Sequence, residues 1–97
     1  MIEVDNNKYE IQKDDQTCFE KEEFLLRYTD YFKDFDYIVG DYSYGKLRLK
    51  GFNKKTNKLY RSINDFNNID KYLINNCAYG CKYYILMQKK RVKLINI

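Results

Sequence analysis

From residue 36 to residue 52 the chain reads Asp-Tyr-Ile-Val-Gly-Asp-Tyr-Ser-Tyr-Gly-Lys-Leu-Arg-Leu-Lys-Gly-Phe. Side chains alternate in character on both sides of a short Ser-Tyr-Gly link. A period of two commits the segment to paired strands, because successive side chains of a strand point to opposite faces. With Ser43-Tyr44-Gly45 as a three-residue loop and Gly45 at its left-handed position, Tyr42 pairs with Lys46, Gly40 with Arg48 and Ile38 with Lys50. Directly opposed residues share a face. One face is then expected to carry Ile38, Gly40, Tyr42, Lys46, Arg48 and Lys50, and the other, facing the core, Tyr37, Val39, Asp41, Leu47 and Leu49. Gly40 opposite Arg48 leaves open space beside an aromatic ring, where a guanidinium can lie flat or a ligand backbone can approach. Relief of sheet twist is the alternative role for that glycine.

The remaining segments complete a mixed fold. Ile2–Val4 and residues 9–12 are strand-like runs around the turn Asn6-Asn7-Lys8, which makes an opening hairpin. Thr17-Cys18-Phe19-Glu20 has the spacing of a capping box and predicts a helix over residues 18–33. Phe24, Leu25, Tyr28, Phe32 and Phe35 recur there at spacings of three and four, marking one buried stripe. Beyond Phe52 a polar turn covers residues 53–58, and residues 59–61 return as a third strand of this sheet. Ser62, Asn64 and Asp65 offer caps for a second helix with the stripe Phe66, Ile69, Leu73 and Cys77, stopped at Gly80. Residues 82–87 read as a strand, 88–91 as a basic turn and 92–97 as a last short strand. The expected architecture is α+β, an antiparallel sheet of four to six strands with two helices packed on one face. All 97 residues fit a single domain, a length that buries about 65% of the surface exposed by the unfolded chain.

Eleven Tyr and six Phe carry much of that core, with no Trp. No apolar run reaches the length of a membrane span and the first residues lack a secretory pattern, so a cytoplasmic location is expected. Three cysteines without an export signal argue for reduced thiols. The net charge of +4 conceals a division: residues 1–41 hold twelve acids and five bases, a net −7, whereas residues 42–97 hold two acids and thirteen bases, a net +11. Such asymmetry points to an anionic partner, or to two halves that pack together and cancel.

The chain has no His, which excludes a Ser-His nucleophile and a histidine metal site. Asp36 and Asp41 lie five apart on one strand, point to opposite faces and do not form an acid and base pair. Asp41 is expected to satisfy amides at the hairpin loop. Cys77 and Cys81 are separated by three residues, unlike a redox pair, and a closed zinc site would need a fourth ligand. Small apolar packing on either side of a helix-to-strand turn accounts for both. No metal and no cofactor are expected.

Two separated stretches, residues 36–52 and Tyr72-Leu73-Ile74-Asn75-Asn76-Cys77-Ala78-Tyr79-Gly80-Cys81 with the apolar run that follows, resemble the signature of the YutD-like family of small bacterial proteins. That resemblance spans residues 19–88 and brings no established biochemical role with it. In the family pattern the place of Tyr42 is often Trp, that of Lys46 often Gln, and residues 53–58 are more acidic. The basic character of this loop is therefore not a property the resemblance implies.

The residues themselves point to a non-enzymatic cytoplasmic binding module. A face with interleaved basic and aromatic side chains neutralises phosphates and stacks bases, which suits RNA or another nucleic acid. Tyr42, Tyr44, Lys46, Arg48, Lys50 and Arg61 are the expected contact residues, although no RNP, KH or helix-turn-helix motif is present. The alternatives are a protein-interaction module that docks an acidic protein partner through Tyr and Arg anchors, and an enzyme built on Cys77 or Cys81.

Overall fold

Five antiparallel strands form one sheet in the order β1-β2-β5-β3-β4 in the computed structural model of the chain, which describes residues 1–43, 45–76 and 82–89. β1 (Ile2–Val4) and β2 (Asn7–Asp14) make the expected opening hairpin. Its link is Asp5-Asn6, at φ 49° and 67°. Two consecutive left-handed residues form a turn whose twist matches the flanking strands, and Asp and Asn tolerate that conformation better than most. β5 (Tyr83–Lys89) enters between β2 and β3 (Tyr37–Ser43), and β4 (Lys46–Phe52) is left as an edge strand.

The register of the β3–β4 hairpin differs from the expected one by a single residue. Ser43 pairs directly with Lys46, so the link is Tyr44-Gly45, two residues in place of three, with Gly45 at φ 76°. Tyr42 then faces Leu47, Asp41 faces Arg48, Gly40 faces Leu49 and Val39 faces Lys50. A one-residue slip exchanges faces. Ile38, Gly40 and Tyr42 therefore share a face with Leu47 and Leu49, whereas Lys46, Arg48 and Lys50 share theirs with Tyr37, Val39, Asp41 and Phe52.

α1 covers residues Lys21–Arg27 and is shorter than expected. The capping box does not form, because Gln16 and Thr17 both take positive φ and the carboxylate of Asp14 instead accepts from the amides of Cys18 and Phe19 at 2.8 and 3.0 Å. The helix ends where Tyr28 becomes extended, and a 3-10 turn over Asp30–Phe32 follows. Phe24, Tyr28, Phe32 and Phe35 are nevertheless all buried, as the stripe predicts. The break has a packing reason: Tyr28 reaches the hydroxyl of Tyr9, while the ring of Phe35 lies over Gly51 on β4.

Residues 59–61 do not form the expected third strand. Asn53 instead makes an isolated parallel bridge to Asp65, with its N–H donating to the carbonyl of Asn64 at 2.7 Å and its carbonyl accepting from Phe66 at 3.0 Å. Asp65 caps the 3-10 turn Phe66–Asn68 that leads into α2 (Ile69–Asn76). The Asn67 amide, and then the Tyr60 hydroxyl, hold the Asp65 carboxyl below the usual carboxylate range.

α+β class and a five-stranded antiparallel sheet are as expected, but the two helices do not share a face. One core joins Phe24 of α1 to Tyr9, Ile38, Leu47, Tyr84 and Leu86, and a second joins Ile69 of α2 to Val39 and Phe52. The physical reason lies in β3, where the neighbours Ile38 and Val39 are both fully buried. A strand with two apolar faces needs a cover on each. The expected helix stop at Gly80, the packing of Cys77 and Cys81 and the strand over residues 92–97 lie outside the described residues.

Tyr84, at the centre of the α1-side core, has a fully buried hydroxyl that meets no hydrogen-bond partner among the described residues, and burial pushes its phenol well above the ordinary value. Removing a buried unsatisfied polar group while keeping the ring is favourable, so Tyr84→Phe is expected to raise stability by about 1 kcal/mol. The urea midpoint of the variant against the parent measures this.

Candidate functional site

The corrected register sets three cations in a row on the α2 side of an edge strand. Lys46 is exposed. Arg48 is fixed from below: its Nε donates to Oδ1 of Asp41 at 2.9 Å, and the other oxygen of this fully buried carboxylate accepts from the hydroxyl of Tyr72 at 3.0 Å. One acid on β3 thus orients a guanidinium on β4, which stays 44% exposed, and a tyrosine on α2. Asp41 was expected at the loop amides; the pairing of Asp41 with Arg48 turns it to this task. Burial first, and then the charge of Asp41, pushes the Tyr72 phenol up to about 12. Lys50 lies 5.6 Å from the ring centre of Phe52 and 5.7 Å from that of Tyr72, a cation–π geometry that draws its ammonium over both rings. Beside it a shallow groove of about 380 Å³ is lined by Lys50, Phe52, Ile63, Lys71 and Tyr72.

Other expected contacts fall elsewhere. Tyr42 lies across the sheet, where its hydroxyl bonds to the carboxylate of Glu23 and reaches the carbonyl of Cys18 at 3.4 Å. Burial, followed by Glu23, raises its phenol pKa. The open space expected beside Gly40 is occupied by the ring of Tyr84, and Arg48 faces Asp41 rather than this glycine. Arg61 is exposed just before the 3-10 turn Ser62–Asn64. Tyr44 lies outside the described residues.

Asp36 and Asp41 serve separate networks. Asp36 is buried, its carboxylate accepting from the Lys54 amide at 2.9 Å and its own amide donating to Oδ1 of Asn53 at 2.9 Å, so it anchors the start of the polar loop. Cys18 is buried, donates to the carbonyl of Tyr83 at 3.4 Å, and has its thiol pushed up to about 11, chiefly by burial. Among the described residues no three Cys, Asp or Glu side chains converge as a metal site requires, and no helix is long and apolar enough to cross a membrane.

The sequence profile of the family described as "Putative antitoxin YutD-like" matches residues 3–87. The chain belongs to the YutD-like family. It is 37% identical over 93 residues to the "Putative antitoxin YutD" of Bacillus subtilis (strain 168), an alignment that covers 96% of this chain and 99% of that protein. It is also similar to the solution NMR structure of protein yutD from B. subtilis, with a TM-score of 0.77 at 36% identity over 93% of this chain and 82% of that one. The sheet with its two helices is thus the YutD-like fold.

Within this YutD-like fold the residues that sequence reasoning missed are those that complete the face from a distance. Tyr72 is separated by 31 residues from the Asp41 it binds. Lys71 enters the same groove from α2, and Ile63 from the 3-10 turn Ser62–Asn64. A usable signal existed for Tyr72 alone, since it follows Ile69 by three and so belongs to the inner stripe of that helix.

Proposed function

We propose that this YutD-like chain is a non-enzymatic cytoplasmic binding module that holds an acidic segment of a protein partner against the face built by Lys46, Arg48, Lys50, Lys71 and Ile63. The observation that carries this reading is the character of the surface beside the cations. Base stacking needs open aromatic faces. Tyr42 is on the other side of the sheet and Lys50 lies over Phe52 and Tyr72, whereas the aliphatic Ile63, which lines the groove beside Lys50, is 71% exposed. Aliphatic surface mixed with cations suits a protein segment that offers carboxylates and apolar side chains. The hold of Asp41 on Arg48 lowers the side-chain entropy lost on binding. The description of the B. subtilis relative as a "Putative antitoxin" makes a toxin the class of partner that fits. RNA, held by Lys46, Arg48, Lys50 and Arg61 without Tyr42, is the second reading.

Purification of the tagged protein from cells that express it naturally separates the two. An acidic protein held at equal stoichiometry is expected, and Lys46→Glu combined with Lys50→Glu should release it, because reversing two rim charges replaces attraction by repulsion. Nucleic acid in its place, removed by high salt, would transfer the function to the RNA reading. A parent protein that carries neither would overturn the reading as a binding module.

A further inference from the structure

We infer that the open edge of β4 accepts an extended segment of the partner as an added strand, with acids at alternate positions facing Lys46, Arg48 and Lys50 and aliphatic residues between them. This rests on the reading of that face as a site for an acidic protein segment.

Backbone direction along the sheet fixes which groups are open. The N–H of Tyr42 donates to the carbonyl of Lys82 at 3.0 Å, and the carbonyl of Asp36 accepts from Gln88 at 2.8 Å. The even-numbered residues of β3 therefore direct their backbone groups towards β5. Tyr37, Val39, Asp41 and Ser43 direct theirs towards β4, where their partners are Phe52, Lys50, Arg48 and Lys46. On β4 the residues between these partners, Leu47, Leu49 and Gly51, point their N–H and C=O groups away from the sheet. Asn53 has the same parity, and there the chain itself supplies a partner, the parallel bridge to residues 64–66. This edge thus already accepts a passing strand at one step, and among the described residues no strand pairs with the three steps before it.

The side chains select the occupant. A second copy pairing through the same edge would bring Lys46, Arg48 and Lys50 near the same three cations, and opposed like charges are destabilising. An incoming strand that places carboxylates there is favoured instead. Its intervening residues would lie on the α1 side, level with Leu47, which is buried, and Leu49, which is partly buried. Short aliphatic side chains suit that position, and strand addition of this kind takes affinity from the main chain and specificity from alternate side chains.

The test uses a capped synthetic peptide of alternating Glu and Val, with two N-methylated forms carrying the methyl on every Glu or on every Val nitrogen. One set of peptide amides faces β4 and the other faces solvent, so one methylated form should bind at least about tenfold more weakly while the other keeps its affinity. Amide exchange at Leu47, Leu49 and Gly51 should slow when the unmodified peptide binds. If both methylated forms bind as the parent peptide does, yet Lys46→Glu with Lys50→Glu abolishes binding, side chains alone capture the peptide; strand addition is then overturned and the acidic-partner reading survives. Leu47 and Leu49 amides that are already protected in the free protein would also overturn it, because the edge would be taken. A peptide that does not bind, or that binds without regard to the charge reversals, sinks both readings.

Discussion

Gly40→Ala is expected to lower the thermal midpoint by roughly 12 to 24 °C, the shift that corresponds to about 3 kcal/mol in a domain of this size. A Cβ at this position would lie 2.3 and 2.5 Å from ring carbons of Tyr84 and 2.7 Å from its hydroxyl oxygen. The ring has no room to withdraw: it is fully buried, with the rings of Phe19 and Phe24 centred 4.9 and 6.5 Å away. The strands themselves must separate, which places the substitution at the upper end of overpacking penalties. Because Gly40 and Tyr84 are directly paired on neighbouring strands, a shorter side chain at 84 should relieve the clash. Gly40→Ala in a Tyr84→Leu background is therefore expected to lose much less than Gly40→Ala alone, although Tyr84→Leu has its own cost. Equal losses in the two backgrounds, read from thermal midpoints, would return Gly40 to the alternative role of easing sheet twist.

The same glycine shows where sequence reading stopped. On β4 the alternation was legible: Leu47 and Leu49 are in or against the α1-side core and Lys46, Arg48 and Lys50 are on the α2 side. What failed was the partner strand, because the register depends on whether two or three residues make the link, and Ser43-Tyr44-Gly45 supports both readings. That one residue moved Tyr42 away from the cations and set Asp41 beneath Arg48. The helical stripe was legible as burial but not as continuity, since Tyr28 and Phe32 are inside whether or not one helix connects them. The adjacent apolar pair Ile38 and Val39 already signalled a strand covered on both sides, and with it helices on opposite faces. The groove was not legible, because it joins β4 to α2 through residues distant in the chain. The family resemblance drawn from residues 36–52 and 72–81 holds.

Asp41→Ala is expected to destabilise the protein by about 3 kcal/mol, the lower end for breaking a buried ion pair, because Arg48 is partly exposed and can turn to water. Tyr72 cannot turn as freely, and its hydroxyl would lose an acceptor in a partly buried site. Tyr72→Phe should therefore cost less in the Asp41→Ala background than in the parent, with a coupling energy of about 1 kcal/mol. Denaturant midpoints for the four proteins give that value, and zero coupling would mean that the carboxylate does not hold the tyrosine. Binding provides a sharper separation of causes. Loss of an acid raises the net charge from +4 to +5, which by long-range attraction alone should tighten contact with an acidic segment. If the function of Asp41 is to hold Arg48 in place, Asp41→Ala should instead weaken that contact at temperatures where the variant remains folded, since the guanidinium is then held less firmly before binding. Tighter binding by Asp41→Ala would show that the face acts through charge alone and that the orientation of Arg48 contributes nothing.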